Sequence, residues 1–91
     1  MVVNDVFLKL NGPENIKYVM EQLQSMKGKI SPLDDIAVGK CVRSKDFDIV
    51  MATYFHTLDA FDAYLIDPLH VEVSKNIGSM IAHQVSACYE L

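Results

Sequence analysis

The sequence predicts an α+β fold in which one antiparallel four-stranded sheet carries helices on a single face. Three observations predict it. Four segments read as strands, at 2–10, 35–43, 47–55 and 83–90. Two regions repeat apolar residues at helical spacing, and an Asp-Pro pair at 67–68 splits the second of them. The segments follow one another as β-α-β-β-α-β, and 91 residues suit a single domain spanning 1–91 rather than two.

The first strand places Val2, Asn4, Val6, Leu8 and Leu10 on one face and Val3, Asp5, Phe7 and Lys9 on the other. Gly12-Pro13 stops it. Pro13 fits the first turn of a helix, and Glu14 sits favourably near the positive end of the helix dipole. Ile16, Val19, Met20, Leu23 and Met26 then form one apolar stripe, and Gly28 ends that helix. The polar tetrapeptide Arg43-Ser44-Lys45-Asp46 reads as a hairpin turn between the middle strands. The third strand, from Phe47 to Phe55, is apolar on both faces, as expected of a strand buried on both sides.

Thr57 is a good N-cap for a short helix over 58–65, with Asp59 in its first turn. After the Asp67-Pro68 break a further helix is expected from Pro68 to about Ala82. Its inward positions are His70, Val73, Ile77, Met80 and Ile81. The last strand sets Val85, Ala87 and Tyr89 against Gln84, Ser86, Cys88 and Glu90. This order, with a broken second helix, is the ferredoxin-like arrangement, which leaves one sheet face bare.

Composition says what covers that face. Hydrophobic residues make up 51% of the chain and charged residues 22%. A domain this small buries only about 60–65% of its unfolded surface. Large exposed apolar patches are unusual in monomers, so a homodimer is expected. No apolar run approaches the roughly 18 residues of a membrane span. The net charge of −4 and the scattered basic residues argue against nucleic acid as a partner. The opening residues Met1–Asp5 show no secretory pattern, and the two cysteines, Cys41 and Cys88, lack partners at metal-ligand spacing. A cytoplasmic setting with free thiols is expected.

The stretch Ala63-Tyr64-Leu65-Ile66-Asp67-Pro68-Leu69-His70 is the most informative candidate for chemistry. The break lets Tyr64 and His70 point toward the same space between helices and sheet. A histidine titrates near neutrality, and a phenol can donate a hydrogen bond to a developing oxyanion, so the pair suits acid–base catalysis. The competing reading is structural, because a histidine on an apolar helical face commonly serves the core or caps a helix. His56, before the N-cap, is expected to face solvent, and His83 to sit at a strand edge. The three histidines are too dispersed for a metal site, and no cofactor motif is present.

Several of these stretches together resemble one family. They are Phe7-Leu8-Lys9-Leu10, Phe47-Asp48-Ile49-Val50, Phe55-His56-Thr57-Leu58-Asp59-Ala60 and the pattern Tyr64-x-x-Asp67-Pro68-x-His70. In order and spacing the chain resembles the stress-responsive A/B barrel domain (Dabb) family of the dimeric α+β barrel superfamily. The resemblance implies that two sheets pack face to face and that each subunit holds a cavity between sheet and helices. Some relatives are cofactor-free enzymes, including one that closes a polyketide ring with the Tyr and final His of this signature. Those residues correspond to Tyr64 and His70. Other relatives are stress-induced proteins with no agreed chemistry. Asp67 stands where the family often carries His, and Asn4 matches a position near the strand start that is also often His. Asn4 can hydrogen-bond a ligand but cannot shuttle protons, which makes it a candidate substrate-binding residue. The sequence thus carries two function classes: a pocket for a small apolar or aromatic ligand with cyclase-like chemistry, and a non-enzymatic dimeric stress-response protein.

Overall fold

The computed structural model describes residues 1–91. Strand β1 (Val2–Leu10) leads through a 3₁₀ turn at Pro13–Asn15 into helix α1 (Ile16–Gln24). Strands β2 (Asp35–Lys40) and β3 (Ile49–Phe55) follow, then helices α2 (Leu58–Leu65) and α3 (Pro68–Ile77), a 3₁₀ turn at Gly78–Met80, and strand β4 (Ile81–Glu90). The sheet runs β2-β3-β1-β4, and every neighbouring pair is antiparallel. This is the ferredoxin-like topology, with β1 and β3 central and β2 and β4 at the edges.

Alternation in the central strands separates the two faces. Val2, Val6, Leu8 and Leu10 of β1 and Ile49, Met51 and Phe55 of β3 join the core with Val19, Leu23, Tyr64, Val73 and Ile77 of the helices. The opposite face carries Val3, Phe7, Val50, Ala52, Tyr54, Val85, Ala87 and Tyr89, with no helix over it. Val3 is nonetheless buried, because it lies between Tyr54 on one neighbouring strand and Tyr89 on the other. Asp5 is the acidic residue of β1 on this face, and its carboxylate accepts a hydrogen bond from the Tyr89 hydroxyl at 2.9 Å. No helix is long and apolar enough to cross a membrane.

Element boundaries differ from expectation in three places, two of them where a serine hydroxyl takes backbone groups and one at a glycine. Helix α1 stops at Gln24, where the Ser25 hydroxyl donates to the Gln22 carbonyl at 2.6 Å. The chain then tightens into three-residue turns before Gly28 adopts φ 73°. That left-handed angle suits glycine. The β2–β3 connection spans 41–48 rather than four residues. The Ser44 hydroxyl oxygen accepts from the amides of Asp46 and Phe47 and draws them out of the ladder. Helix α3 ends at Ile77 rather than near Ala82, at the poor helix former Gly78, and β4 starts two residues early.

Asp48 repairs the ladder beyond β3. Its amide donates to the Leu8 carbonyl at 2.8 Å, its carbonyl accepts from Cys41 at 2.9 Å, and its carboxylate accepts from the Leu10 amide at 2.8 Å. Lys9 approaches the same carboxylate at 3.6 Å. Asp48→Ala is expected to strand the Leu10 amide and lower stability by about 1–3 kcal/mol, as for a hydrogen bond to a charged group. Asp48→Asn, which keeps an acceptor, is expected to cost less. Urea unfolding of both variants checks the order.

Candidate functional site

The longest-reaching feature of the helical face is the Asp67-Pro68 junction. The Thr57 hydroxyl accepts from the Ala60 amide at 3.1 Å and starts α2. At the junction the Asp67 carboxylate accepts from the Leu69 amide at 2.9 Å, so it caps α3, and Pro68 supplies the first helical position. The chain therefore turns sharply between two short helices. That turn brings His70 back over the end of α2.

The Tyr64 and His70 rings lie 4.4 Å apart between centroids, tilted by 50°. Tyr64 is 1% exposed and packs on Phe55 at 5.2 Å and Phe61 at 6.3 Å. Its hydroxyl donates only to the Met26 thioether, at 3.9 Å. A thioether is a weak acceptor, so the hydroxyl keeps most of its donor strength for another oxygen. Burial pushes its pKa up to about 12, so at neutral pH it is a phenol and a hydrogen-bond donor.

His70 Nδ1 lies 3.0 Å from the Leu65 carbonyl oxygen. A carbonyl can only accept, so Nδ1 carries the proton, and in the neutral ring Nε2 holds the lone pair. Leu65 is the last residue of α2, and the final carbonyls of a helix lack partners within it. The same contact therefore caps α2 and fixes the imidazole.

Both residues line a cavity of about 540 Å³ between the sheet and the helices, open to solvent on one side. Its floor is Asn4, Val6 and Leu8 of β1 with Met51 of β3. Leu23 and Met26 close one wall, and Phe61, Val73, Ser74 and Ile77 stand on the helices. Gln84 and Ser86 form the rim on β4. Asn4 is 9% exposed, and its carboxamide makes no hydrogen bond within the protein but is reached by solvent in the cavity. The structure thus brings Tyr64, His70 and Asn4 to one cavity.

Gln84 and Ser86 were not singled out by the sequence, yet a signal was there. They pair with Leu8 and Val6, which face the core, so a polar side of β4 lies on the helix-facing side of the sheet. Met26, expected to fill core, also meets the Tyr64 hydroxyl. His56 is exposed and contacts Asp34, and His83 is on the opposite sheet face, stacked on Phe47 at 6.1 Å. Neither reaches the cavity. Cys41 and Cys88 are free thiols. No group of three or more His, Cys, Asp or Glu is placed to hold a metal ion.

Comparison with known proteins fits this architecture. The family model for the stress responsive A/B barrel domain, Dabb, matches residues 6–90. The chain belongs to the Dabb family. A dimeric ferredoxin-like protein of unknown function from Bacteroides fragilis shares 26% identity with this Dabb chain at a TM-score of 0.85, covering 99% of this chain and 95% of that one. A Dabb family protein from Mesorhizobium loti has a TM-score of 0.86 at 14% identity, covering 99% and 95%. Hydroxynitrile lyase from Passiflora edulis has a TM-score of 0.85 at 15% identity, covering 99% and 92%. At such identities the last two share the fold. No curated protein matches the sequence.

The Tyr64 hydroxyl touches only sulfur, so Tyr64→Phe is expected to cost less than about 1 kcal/mol, whereas Tyr64→Ala removes a core ring and costs roughly 3–5 kcal/mol. Chemical denaturation measures both. The raised phenol pKa also sets a pH dependence. The unfolded chain releases this proton near 10.0, as an ordinary tyrosine does, and the folded chain near 12, so stability falls as pH rises between them. Ultraviolet titration of phenolate is expected to show a step near 12 that Tyr64→Phe removes. Tyr89 also ionises late, because its hydroxyl donates to Asp5, but its step remains in the variant.

Proposed function

We propose that this Dabb protein works as a cytoplasmic homodimer in which each subunit binds a small apolar or aromatic compound, with Tyr64 and His70 performing cofactor-free acid–base chemistry on it. The observation that carries this reading is the cavity. Tyr64, His70 and Asn4 line one solvent-connected space of a size ordinary for small-molecule sites, roughly 300–1,000 Å³. A filled interior would have favoured the structural reading of the same residues.

In this reading the side chains take separate roles. Tyr64 donates a hydrogen bond to a carbonyl oxygen of the ligand and stabilises the negative charge that develops there. Its high pKa suits a donor that keeps its proton. His70 Nε2 takes a proton from the neighbouring carbon and returns it to the product, while Nδ1–H stays on Leu65. Asn4 orients the ligand from the sheet floor. A hydroxynitrile lyase among the proteins that share this fold shows that the fold can carry an enzyme.

Once a turned-over compound is found among small aromatic carbonyls, His70→Ala is expected to abolish turnover and leave the dimer intact. Unchanged turnover in that variant overturns the catalytic assignment. The second reading, a non-enzymatic stress-response dimer, draws on the Leu65 cap and the aromatic packing of Tyr64. It expects His70→Ala to lower stability by roughly 1–3 kcal/mol with no ligand effect to lose.

The homodimer rests on the uncovered sheet face and on the dimers formed by related structures. Val50 is near the middle of that face, paired with Phe7 and Gly39. Light scattering at micromolar concentration is expected to show a dimer, and Val50→Lys a monomer. A compact wild-type monomer overturns this account of the sheet.

A further inference from the structure

The cavity lining contains no Asp, Glu, Lys or Arg. This is notable in a chain with eight basic and twelve acidic residues. Its ionisable side chains are Tyr64 and His70, already engaged as described. An ionised ligand group drawn into such a space loses hydration and meets no counter-charge, and an isolated buried charge is heavily penalised. A neutral ligand pays no such penalty.

The cavity is nevertheless not purely apolar, and its polar groups lie on two different layers. On the helix side are the Tyr64 hydroxyl, with only a thioether for a partner, and His70. On the sheet side is the Asn4 carboxamide, free of protein partners and open to the water of the cavity, with Gln84 and Ser86 on the strand beside it. A ligand that displaces the water at this carboxamide has to replace its hydrogen bonds, and a carboxamide can both donate and accept. Beside these polar groups the lining is apolar on both layers, Val6 and Leu8 on the floor and Phe61 and Val73 on the helices, which suits the faces of a ring.

We infer that the cavity selects an electrically neutral ring compound carrying two hydrogen-bonding oxygens, one for Tyr64 and His70 and one for Asn4. This rests on the pocket reading above and adds the ligand's charge and polarity. Carboxylates, phosphate esters and amines are rejected by the same lining that accepts a phenol or a ketone. Selectivity of this kind comes from groups left unpaired by the wrong ligand, and it exceeds what shape alone provides.

Three probes of matched size test the charge. Para-hydroxyacetophenone is neutral just below neutral pH, para-hydroxybenzoate is an anion and tyramine is a cation. Binding to the full chain is followed by calorimetry and by NMR shifts of Tyr64, His70 and Asn4. The neutral probe is expected to bind and to shift all three residues, with each ion weaker by about tenfold or more. An ion that binds equally well at those residues overturns the inference and leaves the pocket standing. If none of the probes shifts those residues, the pocket reading falls and the inference with it.

Acetophenone, which lacks the phenolic hydroxyl, tests the second oxygen. It is expected to bind several-fold more weakly than para-hydroxyacetophenone in the wild-type chain, and Asn4→Leu is expected to erase that difference. Equal binding of the two compounds to the wild-type chain overturns the two-oxygen requirement without depending on whether the variant folds.

Discussion

Leu8 lies under the helices, and its cross-strand partner Gln84, on the same side of the sheet and one strand farther out, is open to solvent. The helix layer ends between them. From Ala82 to Glu90 every residue of β4 is exposed, on both faces of the strand. An antiparallel edge strand tolerates this where its side chains are polar, and Gln84, Ser86 and Glu90 supply that toward the helices. The cavity, its mouth and its polar rim all follow from where the helices stop. On the opposite face Val85, Ala87 and Tyr89 continue the apolar surface of β1 and β3, so one strand serves a wet side and a side suited to contact with a second copy.

The Asp67-Pro68 junction completes the helix layer. Asp67 caps α3 and Pro68 starts it, while the end of α2 is left to His70 through the Leu65 carbonyl. Helix ends need partners for their unpaired backbone groups. Meeting that need fixes the imidazole tautomer and sets the ring beside Tyr64. The structural role of His70 and its proposed chemical role are therefore one contact seen from two nitrogens, with Nδ1 held by the fold and Nε2 left for a ligand. Tyr64 is similar. Packing against Phe55 holds its ring, and its hydroxyl contributes little to that packing.

The order of elements along the chain, the broken second helix and the bare sheet face were legible because they depend on periodicity and on proline, which act locally. The pairing of Tyr64 with His70 was legible for the same reason, since both flank the break. Boundaries were less so. Ser25 and Ser44 take backbone groups through hydroxyl contacts that apolar patterning does not register, and they shorten α1 and lengthen the β2–β3 connection. Asp48 was read as a strand residue, although its carboxylate completes the ladder of β1. The rim residues Gln84 and Ser86 were visible as the polar side of the last strand. Knowing that this side looks toward the helices required the β1–β4 register, which no single segment contains.

A space this large constrains what surrounds it. Sealed and dry, a cavity of about 540 Å³ would cost on the order of 10 kcal/mol at the penalty found for buried voids. That equals most or all of the stability of a typical domain, about 5–15 kcal/mol. A 91-residue chain cannot carry such a loss. The polar groups of the floor and rim and the opening along β4 remove it, because water can occupy the space and hydrogen-bond Asn4, Gln84 and Ser86. Exchanging that water for a ligand releases the apolar walls from contact with water while an oxygen on the ligand replaces what Asn4 loses. The features that make the empty cavity affordable are thus the ones that give a neutral, oxygen-bearing ring its advantage.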